Sequence, residues 1–180
     1  VTESNPQAAP RIVVMGPSGS GKSVVGAVLA ARLDLPFIDA DDLHPEANVE
    51  KMTAGIPLDD DDRMPWLDIV AASLQGAGTT SGAGGGAVIA CSALARRYRD
   101  RIRAGAPDAL IVELQVSPDE LARRMNAREH FMPPALLLSQ LEALEHLESD
   151  ESGFVVLNDR PPAEVVDEIC ATLDRAQSLR

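Results

Sequence analysis

One eight-residue run limits what this chain can fold into more than any other. Gly16-Pro17-Ser18-Gly19-Ser20-Gly21-Lys22-Ser23 is a complete G-x-x-x-x-G-K-[ST] match. It lies between an apolar, β-prone stretch, Arg11–Met15, and an amphipathic segment running from Lys22 to about Leu33. Glycine lets the backbone curl until several N–H groups face one concavity, and the helix that follows adds the partial positive charge of its N-terminus. Gly16, Ser18, Gly19, Ser20, Gly21, Lys22 and Ser23 are therefore the candidate nucleotide-binding residues. Lys22 can reach between the β- and γ-phosphates, and the Ser23 hydroxyl suits Mg²⁺. ATP and Mg²⁺ are the expected cofactors.

The rest of the chain repeats the strand–helix alternation. Pro36–Asp39, Ala87–Cys91, Ala109–Val116 and Phe154–Leu157 read as strands. Pro45–Ala54, Pro65–Gln75, Arg96–Ala104, Pro134–Leu147 and Pro162–Leu179 read as helices, with Pro57–Arg63 as a link. Ser117-Pro118-Asp119-Glu120 opens a further helix to about Ala127, with Ser as N-cap and Pro in the first helical position. Gly76–Gly86 contains only Gly, Ala, Thr and Ser and reads as a mobile surface loop. Short, continuously apolar strands separated by helices call for a parallel sheet covered on both faces. The expected class is a three-layer α/β/α fold. Its 180 residues fit one domain over 11–180, preceded by a disordered polar tail over 1–10.

Charge narrows the partners. Sixteen basic against 28 acidic residues leave a net charge of −12, which repels nucleic-acid phosphate and anionic membrane. Neither is expected as a partner, and no apolar run approaches the roughly 18 residues of a spanning helix. Such a chain must build a local positive site to hold a nucleotide. Of its 16 cations only Lys22 and Lys51 are lysines, and an ammonium is not interchangeable with a guanidinium in a tight site. Cys91 and Cys170 stand in apolar contexts and read as buried thiols of a reducing compartment, the cytoplasm.

The phosphate loop does not specify the reaction. A GTPase would carry Asn-Lys-x-Asp, and this sequence has none; Asp150-Glu151-Ser152-Gly153 matches D-x-x-G but stands too late for a switch region. Asp39 and Asp41, spaced i, i+2, close the second strand at the edge where open α/β sheets bind ligands. One can hold water of the Mg²⁺ shell while the other takes the proton of a substrate hydroxyl.

Around that pair stands a longer pattern: Asp39-Ala40-Asp41-Asp42-Leu43-His44-Pro45, Lys51-Met52 with Gly55 and Pro57-Leu58, Asp62-Arg63 with Pro65-Trp66-Leu67, and Cys91-Ser92-Ala93-Leu94 with Tyr98-Arg99-Asp100. From about Arg11 to Leu173 the chain resembles the gluconate kinase family of small P-loop sugar-acid kinases. The resemblance implies a nucleoside-monophosphate-kinase type fold with five parallel strands and a mobile lid over about 123–140. It implies transfer from ATP to the C6 hydroxyl of D-gluconate, with no nucleic-acid or membrane partner, and a homodimer. The alternatives are another hydroxy-acid kinase of the shikimate-kinase kind or a catalytically silent ATP-binding module.

Residue by residue, the resemblance implies Lys22, Asp41, Arg124 and Arg128 as catalytic, and Ser23 and Asp39 as metal-side groups. Asp41, His44, Lys51, Arg63, Ser92, His130 and Gln140 are the implied substrate-side residues. Lys51 and Arg63 are the candidates for the acid's carboxylate; His44 bonds a hydroxyl or else caps the next helix. Trp66 reads as packing, and Asp59–Asp62 as a solvated loop with a capping role. Arg123, Arg124 and Arg128 stand where guanidinium groups could fold over the transferring phosphoryl. Arg124 and Arg128 share a face if their helix reaches that far. Three departures stand out. The lid is one residue short between Ala127 and His130, and Ala95 stands where many members of the family carry Lys, a cation for which Arg96 or Arg97 could substitute. Ala40 replaces a Gly, which requires φ below zero there.

Overall fold

Apolar runs with an in–out alternation set the two faces of the central sheet. In the computed structural model, which describes residues 9–77, 85–127 and 134–178, the strands are β1 (Arg11–Met15), β2 (Phe37–Asp39), β3 (Ala87–Ala90), β4 (Ala109–Gln115) and β5 (Gly153–Leu157). All neighbours pair in parallel, in the order β2-β3-β1-β4-β5. Val13, Met15, Ile89 and Ile111 face one core with Trp66, Leu67, Val70, Leu74 and Ile102. Ile12, Val14, Val88, Val112 and Leu114 face the other with Val25, Leu29, Val165, Val166 and Ile169. The layers are thus α3 (Asp60–Gly76) and α4 (Arg96–Gly105) on one side, α1 (Lys22–Leu33) and α7 (Pro162–Ser178) on the other. This is the α/β P-loop kinase fold expected from the sequence.

β1 lies between β3 and β4, so its carboxyl end opens at the switch point where an open α/β sheet forms its ligand crevice. The phosphate loop leaves β1 into that crevice. The chain also carries α2 (Glu46–Thr53), α5 (Pro118–Asn126) and α6 (Pro134–Glu142), with one 3₁₀ turn, Ala40–Leu43. Ala40 belongs to that turn and is not among the described residues with positive φ, as the Gly-to-Ala departure requires.

Two helices differ from the sequence reading. α3 begins at Asp60 rather than Pro65, because Asp59 caps it: Asp62 N–H donates to the Asp59 side chain at 3.0 Å, and Asp59 N–H to the Asp62 side chain at 3.2 Å. The aspartate run is therefore a cap and first turn rather than a loop. α6 stops at Glu142, five residues before the expected Leu147. The backbone beyond it bonds instead to buried side chains, Leu147 N–H to Glu113 at 2.8 Å and the Glu145 carbonyl to Arg99 at 2.9 Å. The tail over 1–8 and the loop centre over 78–84 lie outside the described residues.

Candidate active site

The phosphate loop is shaped by backbone that only glycine takes easily. Gly21 has φ 91°, and a Cβ there would stand 2.6 Å from the Asn158 Nδ2. Asn158 is buried and donates to the Ser20 carbonyl at 2.6 Å, bracing the loop from the end of β5. Lys22 Nζ donates back to the Pro17 carbonyl at 3.0 Å, arching over the loop. The Ser20 hydroxyl is buried with no hydrogen-bond partner among the described residues. Curled glycines, an orphaned hydroxyl and the N-terminus of α1 together fit a nucleotide phosphate.

Beside the loop, Ser23 Oγ donates to Asp39 Oδ2 at 2.8 Å. These are hard oxygen donors side by side, the chemistry that suits Mg²⁺. Asp39 also accepts from the Asp41 N–H at 3.1 Å and so starts the 3₁₀ turn that carries Asp41. Burial, then the neighbouring Asp39 charge, pushes the Asp41 carboxyl above its ordinary value, with Lys22 and His44 pulling the other way. The charges that act on Asp41 place it between the phosphate loop and the His44 side. His44 stacks on Trp66 with ring centroids 4.1 Å apart, and burial lowers its pKa, so it is neutral at pH 7. Trp66 donates to the Ala40 carbonyl at 2.8 Å and is a packing residue, as read from the sequence.

A cavity of about 300 Å³ opens on the other side of the loop. Val24, Val25 and Pro162 give it apolar walls, while Arg123, Arg124 and Arg160 ring it with positive charge. Each of these guanidinium groups is paired, Arg123 and Arg124 with Glu120 and Arg160 with Asp159 and Glu168, so a polyanionic ligand would compete with those carboxylates for them.

The shikimate kinase family model matches residues 18–174. The gluconokinase of Gluconobacter oxydans is 45% identical over 159 residues, covering 88% of each chain. The thermosensitive gluconokinase of Escherichia coli is 44% identical over 144 residues, 79% of this chain and 75% of its own. A gluconokinase crystal structure from Sinorhizobium meliloti superposes with a TM-score of 0.83 at 44% identity, covering 94% of both chains. The chain belongs to the gluconokinase family. It is an enzyme, a kinase of the shikimate-kinase-type P-loop fold.

Against that family the sequence-read residues divide. Gly16, Ser18, Gly19, Ser20, Gly21, Lys22, Ser23, Asp39, Asp41 and His44 gather at one edge of the sheet, at the ends of β1 and β2. Ser92 follows β3 on that same edge. Arg63 lies near them, where its charge acts on His44, and its Nη1 donates to Tyr98 Oη at 2.9 Å. Lys51 is otherwise engaged: its Nζ meets both carboxylate oxygens of Asp62, at 2.6 and 2.8 Å, tying α2 to the cap of α3.

Arg124 stands on the nucleotide-cavity side, donating to the Asn158 carbonyl at 2.6 Å and to Glu120 at 2.7 Å. α5 ends at Asn126, so it does not supply the face that Arg124 was expected to share with Arg128. Arg128 and His130 lie outside the described residues, as does the centre of the lid over 128–133. Both candidates to substitute for the family lysine at Ala95 are ion-paired. Arg96 is held by Asp150 and Glu148, and Arg97 by Asp60.

Gln140, in α6, accepts from the Ser18 N–H at 2.8 Å and so touches the phosphate loop itself. The sequence marked Asn158-Asp159-Arg160 as a place for the adenine pocket, and Asn158 and Arg160 do line the cavity. The contact of Gln140 with the loop was not legible, because a single amide side chain carries no spacing pattern. Among the described residues no His, Cys, Asp and Glu cluster of metal-binding size occurs, and no helix is long and apolar enough to cross a membrane.

Proposed function

We propose that this protein transfers the γ-phosphoryl group of Mg·ATP to the C6 hydroxyl of D-gluconate, giving 6-phosphogluconate and ADP. The observation that carries the reading is identity of 44–45% to gluconokinases across most of the chain, joined to an intact phosphate loop and an Asp41 on which the Lys22 charge acts.

The adenosine side enters the cavity between α1, α5 and the turn at Asn158–Pro162, with its phosphates curling round the loop to Lys22. Arg124 supports charge from the cavity side, and Arg128 and His130 from the lid. Mg²⁺, when bound beside Ser23 and Asp39, neutralises phosphate charge and fixes phosphate geometry. Asp41 orients the acceptor hydroxyl and takes its proton as the oxygen attacks phosphorus in line. Its raised pKa makes it a better base than an unshifted aspartate. Neutral His44 and Ser92 bond acceptor hydroxyls. The acid's carboxylate meets Arg63, whose bond to Tyr98 leaves two of its nitrogens unbonded among the described residues; Lys51 gives a second, weaker contact. Gln140 positions the loop against the acceptor.

The same reading takes residues 11–180 as one domain with a lid over about 123–140, working as a cytoplasmic homodimer. Two cysteines without a disulfide support the compartment. The shikimate kinase family match makes shikimate the competing acceptor. The test is ADP release with Mg·ATP and D-gluconate, shikimate, D-glucose or no acceptor. Gluconate-dependent release is expected. Release with shikimate alone overturns the substrate, and acceptor-independent behaviour with ATP still bound overturns the reaction.

A further inference from the structure

The largest buried polar group outside the nucleotide site is Arg99, in the first turn of α4 and 0% exposed. Its fork meets Glu151 in bidentate fashion, Nε at 2.6 Å and Nη2 at 2.7 Å. Nη1 donates to the carbonyls of Ala93 at 3.3 Å, Leu94 at 3.2 Å and Glu145 at 2.9 Å. A guanidinium removed from water is tolerated only with such full pairing, and hydrophobic residues of similar volume often fill the same space at no loss of stability. Arg99 therefore invites an explanation other than stability.

The carbonyls it holds belong to an unusual turn. Ala93 has φ 40°, and the only other described non-glycine with positive φ is Asp34, which ends α1 as a helix C-cap. The left-handed region is unfavourable for any residue with a Cβ, and alanine has no polar side chain to offset that. Strain of this kind persists where surrounding groups enforce it, and it clusters at functional sites. The turn follows Ser92 at the carboxyl end of β3, the strand between Asp39's β2 and the phosphate loop's β1.

On its other side, Arg99 grips the irregular 145–151 segment, whose Glu145 N–H donates to the Leu94 carbonyl at 2.9 Å. That segment follows α6, the helix that puts Gln140 on the phosphate loop. One buried side chain thus joins the acceptor-side turn to the strap leading from the lid.

We propose that Arg99 is a positioning residue for phosphoryl transfer: it enforces the left-handed Ser92–Ala93 turn so that the acceptor is held against Asp41. The proposal rests on the kinase reading above. It requires that loosening the Arg99 fork disturb the acceptor and not the nucleotide, because the phosphate loop has its own brace in Asn158. A glycine at position 93 adopts positive φ without steric cost, so it should make the turn independent of Arg99.

The experiment measures kcat, both KM values and Tm for Arg99→Lys and Glu151→Gln, each with and without Ala93→Gly. Expected is a loss of about 10- to 100-fold in kcat/KM for the acceptor, with KM for ATP little changed. Ala93→Gly should restore most of that loss without restoring Tm. Equal effects on both substrates, a lowered Tm with unchanged kinetics, or no rescue by Ala93→Gly overturns the proposal. Glu151→Gln keeps the shape of the pair and reports the same split if Arg99→Lys is too unstable to purify. Wild-type turnover of D-gluconate is the control. Its absence sinks the gluconate reading alone, and the split is then read with whichever acceptor the wild type phosphorylates.

Discussion

Asp41 is pushed toward protonation by burial and by the Asp39 carboxylate, while Lys22 and His44 favour its charged form. The net shift is upward from 3.8, so the folded state binds more protons than the unfolded state just above that pH. Stability contributed by this group is therefore lost as pH rises through its folded pKa. At neutral pH the ionised carboxylate is a cost, carried for the sake of the reaction. Asp41→Asn should lower kcat by about 10²–10⁴-fold and raise Tm, with ATP affinity nearly unchanged. Thermal melts beside ADP-release kinetics check both, and full kcat would remove Asp41 from the proton path. The acid limb of kcat/KM should lie higher than an unshifted aspartate would put it. The two cations proposed for the acid's carboxylate separate at this scale too. Arg63→Ala should raise KM for gluconate about tenfold or more, and Lys51→Ala by less, because the Lys51 ammonium already faces Asp62. The reverse order would make Lys51 the principal anion contact.

Among the elements, α3 shows how a local rule was misread. Pro65 looks like a helix start, yet it lies inside the helix, and the capping box that opens at Asp59 governs. Asp59→Ala should cost about 1 kcal/mol, while Asp59→Asn, which can still accept from a backbone N–H, should cost far less. Urea denaturation of the two variants decides; equal losses would mean that the cap geometry is not what holds the helix start. Where a pattern repeats along the chain, the sequence carried the structure. The Gly-rich loop, α1 from Lys22 to Leu33 and all five strands were readable within a residue or two. The end of α6 was not. Its carbonyls and amides are claimed by Arg99 and Glu113, residues 46 and 34 positions away in sequence, and no window along the chain contains both partners. The site divides the same way: Asp39, Asp41 and Ser23 are close by motif, whereas Lys51 meets Asp62 rather than open crevice only because α2 folds against the α3 cap.

At the scale of the whole molecule, the sheet makes one edge chemically busy and keeps the strand interiors dry. Cys91 directly follows β3 at that boundary. Its thiol is 1% exposed and, chiefly through burial, is pushed up to about 12, leaving almost no thiolate at pH 8. Cys170 on α7 is only half-buried, not enclosed as its apolar context suggested, and burial raises its pKa as well. An aromatic disulfide reagent should therefore modify at most one thiol per native chain, slowly, and two after denaturation. Cys91 is buried in one core of the five-stranded sheet, with Trp66, Leu67 and Tyr98, and its N–H donates to the Val14 carbonyl at 3.1 Å, so reaching its thiol requires that core to open. Its labelling should then follow global unfolding and slow sharply when Mg·ATP stabilises the folded state, since a ligand that binds only the native form lowers the unfolded population in proportion to its saturation. Labelling of Cys170 should respond far less to nucleotide. Rapid modification of Cys91 in the native enzyme, insensitive to nucleotide, would show that the carboxyl edge of β3 opens locally, and that the acceptor-side turn is not held as one body with the sheet.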